Sequence, residues 1–218
     1  MKYLYAETGQ SLQLFHPDEV RPLERGPFLP DVIARTAARY HFVNPPTGLP
    51  AEGGLKFEAG KMVLTDVEIS IGSLELYRDG IIVNTRHTND SDAVIDDFFT
   101  WIVSTFGFRL PEGRIARHYT SVVIVDIETP LDAFLSKFQI LQQIVSDAYS
   151  QTRGERREFH LAQFTLTPSL SEPQRDFFRL EIRTATPFVP NRYFSNAPLP
   201  TNAHLDMLAE LERAIVAT

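Results

Sequence analysis

Six histidines are the first residues in this sequence that could bind a metal ion or act as a catalytic base. They stand at positions 16, 41, 87, 118, 160 and 204. A zinc-binding helix often carries His-x-x-x-His or His-Glu-x-x-His, and neither pattern occurs here. His87, His118 and His160 lie in predicted strands and could meet across a sheet. A hydrogen-bonded histidine in the core or at a sheet edge is the simpler interpretation, so we expect no metal ion.

Two pairs of carboxylates also have a spacing that allows chemistry. Asp66 and Glu68 share one face of a predicted strand, and Asp126 and Glu128 share one face of another. Such pairs could hold a divalent cation or contact a basic partner. Side chains on the solvated face of a sheet explain them more simply.

Nucleophiles and phosphate-binding loops are not indicated by the sequence. The absence of cysteine excludes thiol nucleophiles, Cys-ligated zinc and iron–sulfur clusters. No Gly-x-Ser-x-Gly or Gly-x-Gly-x-x-Gly motif occurs. The segment Gly54–Met62 resembles a P-loop, but five residues separate its glycines and methionine replaces the Ser/Thr that would hold magnesium. We expect a hairpin turn there, no cofactor, and a non-catalytic protein.

Arginines 153, 156 and 157 form a basic cluster that could contact nucleic acid. Glu155 and Glu158 are interleaved with them, which favours ion pairs within the protein. The chain has a net charge of −7 and a pI of about 5.4, so it has no general attraction for a phosphate backbone. Nucleic acid is therefore not the expected partner.

The segment from Pro187 to Pro200 is the strongest candidate for contacting another molecule. It has three aromatic residues and an arginine but no regular period, so we interpret it as an irregular loop. An apolar loop must be buried on its own protein or on something else. Packing on the sheet is the simpler interpretation. The alternative is a partner-binding loop, whose candidate residues are Phe188, Asn191, Arg192, Tyr193 and Phe194.

These residues must be positioned by a scaffold centred on His118–Tyr149. The β-branched run that follows His118 predicts a buried strand, and Thr129-Pro130 predicts the start of a long amphipathic helix. Ile140 and Ile144 widen the apolar stripe of that helix beyond what one sheet face needs. We expect the C-terminal helix, the proline-rich loop or a partner chain to cover them.

Hairpin and helix signals alternate along the rest of the chain. Residues 62–87 predict a three-stranded meander with a tight turn at Gly72-Ser73 and a second at Asp79-Gly80. A helix is predicted from about Ala93 to Phe106, with Gly107 ending it. The predicted order is roughly β-β-β-α-β-α-β-β-α. This order indicates an α+β fold with a largely antiparallel sheet and about three helices packed mainly on one face.

The domain organisation follows from the distribution of prolines. Residues 1–50 carry prolines at 17, 22, 27 and 30 and predict a proline-rich arm packed on the main body. Residues 51–218 predict a single α+β domain, and the sequence itself shows no internal repeat. The start of the sequence lacks the apolar core of a signal peptide, and no stretch approaches 18 apolar residues. We therefore expect a cytoplasmic protein without a membrane segment.

Three functions remain open on the sequence alone. The leading hypothesis is a non-catalytic subunit or adaptor that works through a protein partner or through self-association. The first alternative is a small-ligand binder or enzyme with a site on the open sheet face that uses Asp66, Glu68, His118 or Arg192. The second alternative is a nucleic-acid-associated factor.

Overall fold

The structure is a computed structural model, and it describes most of the chain. The described residues are 1–15, 20, 28–47, 54–110, 117–128, 136–168, 176–184, 188–189 and 191–216. The predicted helix start at Thr129-Pro130 and the cluster of prolines at 17, 22 and 27 lie outside them.

Eight strands and four helices make up the described elements. The strands are β1 (Lys2–Leu14), β2 (Leu55–Leu64), β3 (Val67–Leu76), β4 (Gly80–Thr85), β5 (Arg117–Asp126), β6 (Gln163–Leu166), β7 (Phe178–Ile182) and β8 (Arg192–Ala197). The helices are α1 (Leu29–Arg39), α2 (Thr88–Phe106), α3 (Ser136–Arg153) and α4 (Thr201–Val216). Within the described ranges, every helix falls short of the length and hydrophobicity that crossing a membrane requires.

The expected α+β class with an antiparallel sheet is confirmed. The strands form one open sheet in the order β2-β3-β4-β1-β5-β8-β7-β6. The predicted element order was wrong in detail, because residues 1–50 contribute a 13-residue strand and an 11-residue helix. The strand β1 is long because Lys2–Leu14 contains no proline, and α1 begins where Pro30 occupies its first turn.

The chain divides into two compact units. The N-terminal unit comprises Ala6–Ser121 with Leu199–Thr201, and the C-terminal unit comprises Met1–Tyr5, Val122–Pro198 and Asn202–Thr218. The prediction that residues 51–218 form a single domain, with residues 1–50 as a proline-rich arm, stays a prediction.

The N-terminal unit contains an aromatic-rich core between strands β2, β3 and β4 and helix α2. Its strands pair antiparallel, β2 with β3, β3 with β4, and β4 with β1. Phe57, Leu74, Ile81 and Val83 of the sheet are fully buried, and Phe98 of α2 is 2% exposed. Removal of such side chains from water is the main stabilising term.

The β2–β3 hairpin corrects two predictions. Its turn is Thr65-Asp66, which has positive φ at both residues, whereas the predicted turn at Gly72-Ser73 lies inside β3. The segment resembling a P-loop is largely strand β2 rather than a turn. Gly60 is needed in that strand because a Cβ there would lie 2.4 Å from the ring of Phe42.

The C-terminal unit is built from β6, β7 and β8, the second half of β5, and helices α3 and α4. Strand β7 pairs antiparallel with β6 on one side and with β8 on the other. Its described core includes Ile124, Leu180, Tyr193 and Leu208, which are at most 2% exposed.

A repeated element order appears only in the structure. Strand, helix, three-stranded meander and helix follow one another as β1-α1-β2-β3-β4-α2 and again as β5-α3-β6-β7-β8-α4. The strand neighbours correspond as well, as β2-β3-β4-β1 and β6-β7-β8-β5. The last helix of each half begins with Thr-Asn, at Thr88-Asn89 and Thr201-Asn202.

Candidate functional site

Helix α3 is half-buried along one side. The described residues on its partly buried side are Gln142, Ser146, Tyr149 and Ser150. The Ser146 hydroxyl donates to the carbonyl of Gln142 (2.7 Å) and accepts from the backbone N–H of Phe159 (3.1 Å). The rings of Tyr149 and Phe159 meet with their centroids 5.4 Å apart. The segment after α3 therefore packs along the helix's own polar side.

The opposite side of α3 presents two exposed isoleucines. Ile140 is 66% exposed and Ile144 is 59% exposed. Residues four apart lie on one face of a helix, so Ile140 and Ile144 are neighbours on the surface. We call these two residues the α3 apolar face. The sequence predicted that Ile140 and Ile144 would be covered, and no described residue buries them.

A polar groove of about 620 Å³ runs between α3 and the segment that follows it. Its lining includes Asp147 of the helix and Arg156, Arg157, Glu158 and His160 of the following segment. Both signs of charge face the groove, which does not favour a polyanion.

The arginine cluster at 153, 156 and 157 lies partly in this groove, through Arg156 and Arg157. Arg157 pairs with Glu155 at 3.3 Å and stands 5.9 Å above the ring of Tyr149. Arg153 occupies the last turn of α3, where its charge favours the helix C-terminus. These contacts agree with ion pairs within the protein, and the expectation that nucleic acid is not the partner stays a prediction.

Most of the residues predicted at the tip of an irregular loop lie instead in strand β8. Asn191 has a φ of 60°, and its carbonyl accepts from the backbone N–H of Ile127 (2.9 Å). Arg192 donates from Nε and Nη2 to the two carboxylate oxygens of Asp126, at 2.8 and 3.1 Å. These hydrogen bonds hold the pKa of Asp126 below its ordinary value.

The three aromatic residues of this segment have different environments. Tyr193 is 2% exposed and belongs to the core. Phe194 is partly buried, and the guanidinium of Arg179 lies 5.6 Å from its ring centroid. Phe188 is 61% exposed. Of the five predicted partner-binding residues, Phe188 presents the largest apolar side chain to solvent, and the partner-binding role itself stays a prediction.

The side chains predicted for a site on the open sheet face lie on different elements. Glu68 accepts a 2.9 Å hydrogen bond from Lys61, and Asp66 forms part of the β2–β3 turn. His118 is exposed near the start of β5, and Arg192 binds Asp126. Among the described residues, no three His, Asp or Glu side chains lie close enough together to hold a metal ion.

A buried serine–histidine pair was not predicted from the sequence. Ser195 of β8 and His204 of α4 share a 2.8 Å hydrogen bond between Oγ and Nε2, and both residues are 0% exposed. Burial lowers the pKa of His204 to about 4, so the ring is neutral at pH 7. A nucleophile must be reachable by its substrate, so the full burial of Ser195 indicates a structural pair. The spacing of apolar residues in α4 is the sequence signal that could have placed His204 on the buried side of that helix.

No protein-family model matches this sequence, and no match is found among curated proteins.

Proposed function

We propose that this protein is a non-catalytic cytosolic subunit that works through protein–protein contacts and self-associates through the α3 apolar face. The observation that supports the proposal is the exposure of Ile140 and Ile144, at 66% and 59%, side by side on one helix.

The energetic argument starts from the orientation of α3. Gln142 and Ser146 face the segment that follows the helix, whereas the side chains of Ile140 and Ile144 face solvent. Isolated apolar side chains are normal on a protein surface, but adjacent ones on a regular element mark a contact surface. Burying one isoleucine or valine stabilises an association by about 1.5–3 kcal/mol. Burial of the two isoleucines in each of two partners contributes to the driving force, which works against the entropic cost of association.

A second copy of the chain is the occupant that this surface fits most directly. Two copies related by a two-fold axis place the same patch on both sides of the contact, and closed dimers of this kind are the commonest oligomers. An apolar helix face is complementary to itself in this arrangement. A flanking charge, such as the exposed Asp147, would remain at the solvated rim, as is usual in interfaces.

The proposal is tested with the double variant Ile140→Glu, Ile144→Glu. Sedimentation velocity over a concentration series should show reversible dimers for the natural protein and monomers for the variant, because two carboxylates cannot be buried without partners. Circular dichroism checks that the variant is folded, as expected for substitutions at exposed positions.

The matched control is Asn202→Glu, Ala203→Glu, at two exposed positions in the first turn of α4. It adds the same charge to another helix and should leave the dimer intact. A natural protein that stays monomeric at high concentration would contradict self-association. Loss of the dimer in the control variant as well would show that added charge, rather than the α3 apolar face, disrupts it.

A further inference from the structure

The N-terminal unit contains a cavity of about 320 Å³ at one end of its sheet. Three features of the sheet meet there: the end of β1 with Phe15, the start of β2 with Leu55, and the turn that joins β3 to β4. Helix α2 closes the other side with Phe98 and Ile102. The cavity therefore lies between the sheet and helix α2 of the N-terminal unit.

The wall of this cavity is mainly apolar and includes five aromatic side chains. Ile81 and Phe98 line its buried part at 0% and 2% exposure. The rings of Phe15 and Phe99 meet edge to face with centroids 5.9 Å apart, and Phe108 adds a further ring. Small-ligand pockets occupy roughly 300–1,000 Å³ and are lined mainly by such residues. Water gains few hydrogen bonds in such a cavity, whereas an apolar chain gains dispersion contacts with its walls.

One charged side chain stands among the described lining residues, that of Arg78 in the β3–β4 turn. Arg78 is exposed, and it forms no ion pair or hydrogen bond with any residue that the structure describes. The neighbouring hydroxyl of Tyr77 is already engaged, because it donates to Glu75 at 2.8 Å. The Arg78 guanidinium is thus available for an anion, and it can bind a carboxylate through two parallel hydrogen bonds.

We propose that this cavity binds an amphipathic carboxylate of the medium-chain fatty acid class. Its hydrocarbon chain lies among Phe15, Ile81 and Phe98, and its carboxylate binds Arg78. The apolar wall accounts for the hydrocarbon chain of the ligand, and the guanidinium of Arg78 accounts for its acid group. This site shares no residue with the open sheet face suggested by Asp66, Glu68, His118 and Arg192, and it does not depend on self-association.

The experiment is a calorimetric titration of the full chain with decanoate, and separately with decanol. The natural protein should bind both ligands, decanoate more tightly. In Arg78→Gln the affinity for decanoate should fall about tenfold, which is the equivalent of about 1.4 kcal/mol, while decanol binding should be unchanged. Arg86→Gln, at an exposed arginine of the same unit outside the cavity wall, is the matched control and should bind like the natural protein.

A second variant tests the cavity itself. Leu29, the first residue of α1, lines the cavity and is partly exposed, so Leu29→Trp should fill it and abolish binding of both ligands. Absence of decanoate binding to the natural protein would overturn the proposal. Equal losses of decanoate affinity in Arg78→Gln and Arg86→Gln would overturn the role of Arg78. Unchanged binding of both ligands to a folded Leu29→Trp would overturn the placement of the site in this cavity. If Leu29→Trp does not fold, the two arginine variants and the decanol titration decide the question.

Discussion

Thr88 and Thr201 cap each other across 113 residues of sequence. The backbone N–H of Thr201 donates to the hydroxyl of Thr88 at 2.8 Å, and the backbone N–H of Thr88 donates to the hydroxyl of Thr201 at 3.1 Å. Each threonine is the first residue of a helix, where backbone N–H groups have no partner within the helix. Both residues are at most 1% exposed, so these hydrogen bonds replace water that cannot reach the site.

This reciprocal cap predicts a non-additive loss of stability. Thr88→Val and Thr201→Val should each lower the free energy of unfolding by about 1–3 kcal/mol, because each leaves a buried N–H unpaired. The double variant should lose less than the sum, since the 3.2 Å hydrogen bond between the two hydroxyls is already absent from either single variant. Urea denaturation at fixed protein concentration measures all four proteins.

Thr100→Val is the control for the cap, because the Thr100 hydroxyl is exposed and donates to the carbonyl of Asp96. Thr100→Val should change the free energy of unfolding by no more than about 0.5 kcal/mol. Additive losses in Thr88→Val and Thr201→Val would show that the two threonines act independently.

The buried ring of His204 predicts an acid-sensitive fold. The pKa of this histidine falls from an ordinary value of 6.5 to about 4 in the folded protein, because burial disfavours the charged ring. The unfolded chain therefore binds a proton more readily below pH 6.5, and stability declines as the pH falls from 6.5 toward 4. The difference in pKa corresponds to about 3 kcal/mol once the pH is below both values. Above pH 6.5 this residue contributes no pH dependence.

Stability measured from pH 8 to pH 4 tests this expectation. His204→Gln removes the titrating group, so its curve should be flatter than that of the natural protein between pH 6.5 and 4, even if its stability at pH 8 is lower. His160→Gln is the control at an exposed histidine of the same unit and should keep the acid-sensitive decline. Parallel curves for the natural protein and His204→Gln would contradict the assignment to His204.

A hairpin turn and the end of a helix could be predicted from the sequence, because short residue patterns determine them. Asp79-Gly80 predicted the β3–β4 turn, and the backbone N–H of Tyr77 donates across it to Gly80 at 2.8 Å. Gly107 ends α2 with a φ of 67°, as expected for a residue that closes a helix. The predicted start of α2 was wrong, because the helix begins at Thr88 rather than near Ala93 and includes the polar residues that follow His87.

Strand β8 shows why the partner-binding segment could not be located from the sequence. The prolines around it and its mixed composition hide a two-residue alternation in which Tyr193, Ser195 and Ala197 face inward. The ion pair between Arg192 and Asp126 depends on two segments that lie far apart in sequence. Long-range pairing of this kind is decided by tertiary packing, which local propensity does not report.

The repeat was missed for a related reason. Two halves with the same element order need share only the pattern of buried positions, not residue identities, and the Thr-Asn starts of α2 and α4 are too short to recognise alone. The partner of Ser195 likewise comes from another element, so the distance between Ser195 and His204 appears only once β8 and α4 are placed.

The β2–β3 turn gives the last prediction, and it explains the misplaced turn. A two-residue loop preserves the alternation of side chains, so Val63, Thr65, Val67 and Ile69 read as one strand although the chain reverses between them. Thr65 has a φ of 48° and Asp66 a φ of 68°, as a type I′ turn requires. A β-branched residue is strained at positive φ, whereas asparagine adopts it readily. Thr65→Asn should therefore raise the free energy of unfolding by about 1 kcal/mol in urea denaturation. Ser70→Asn, at an exposed position inside β3, should give no such gain, and equal effects of the two substitutions would exclude relief of turn strain as the cause.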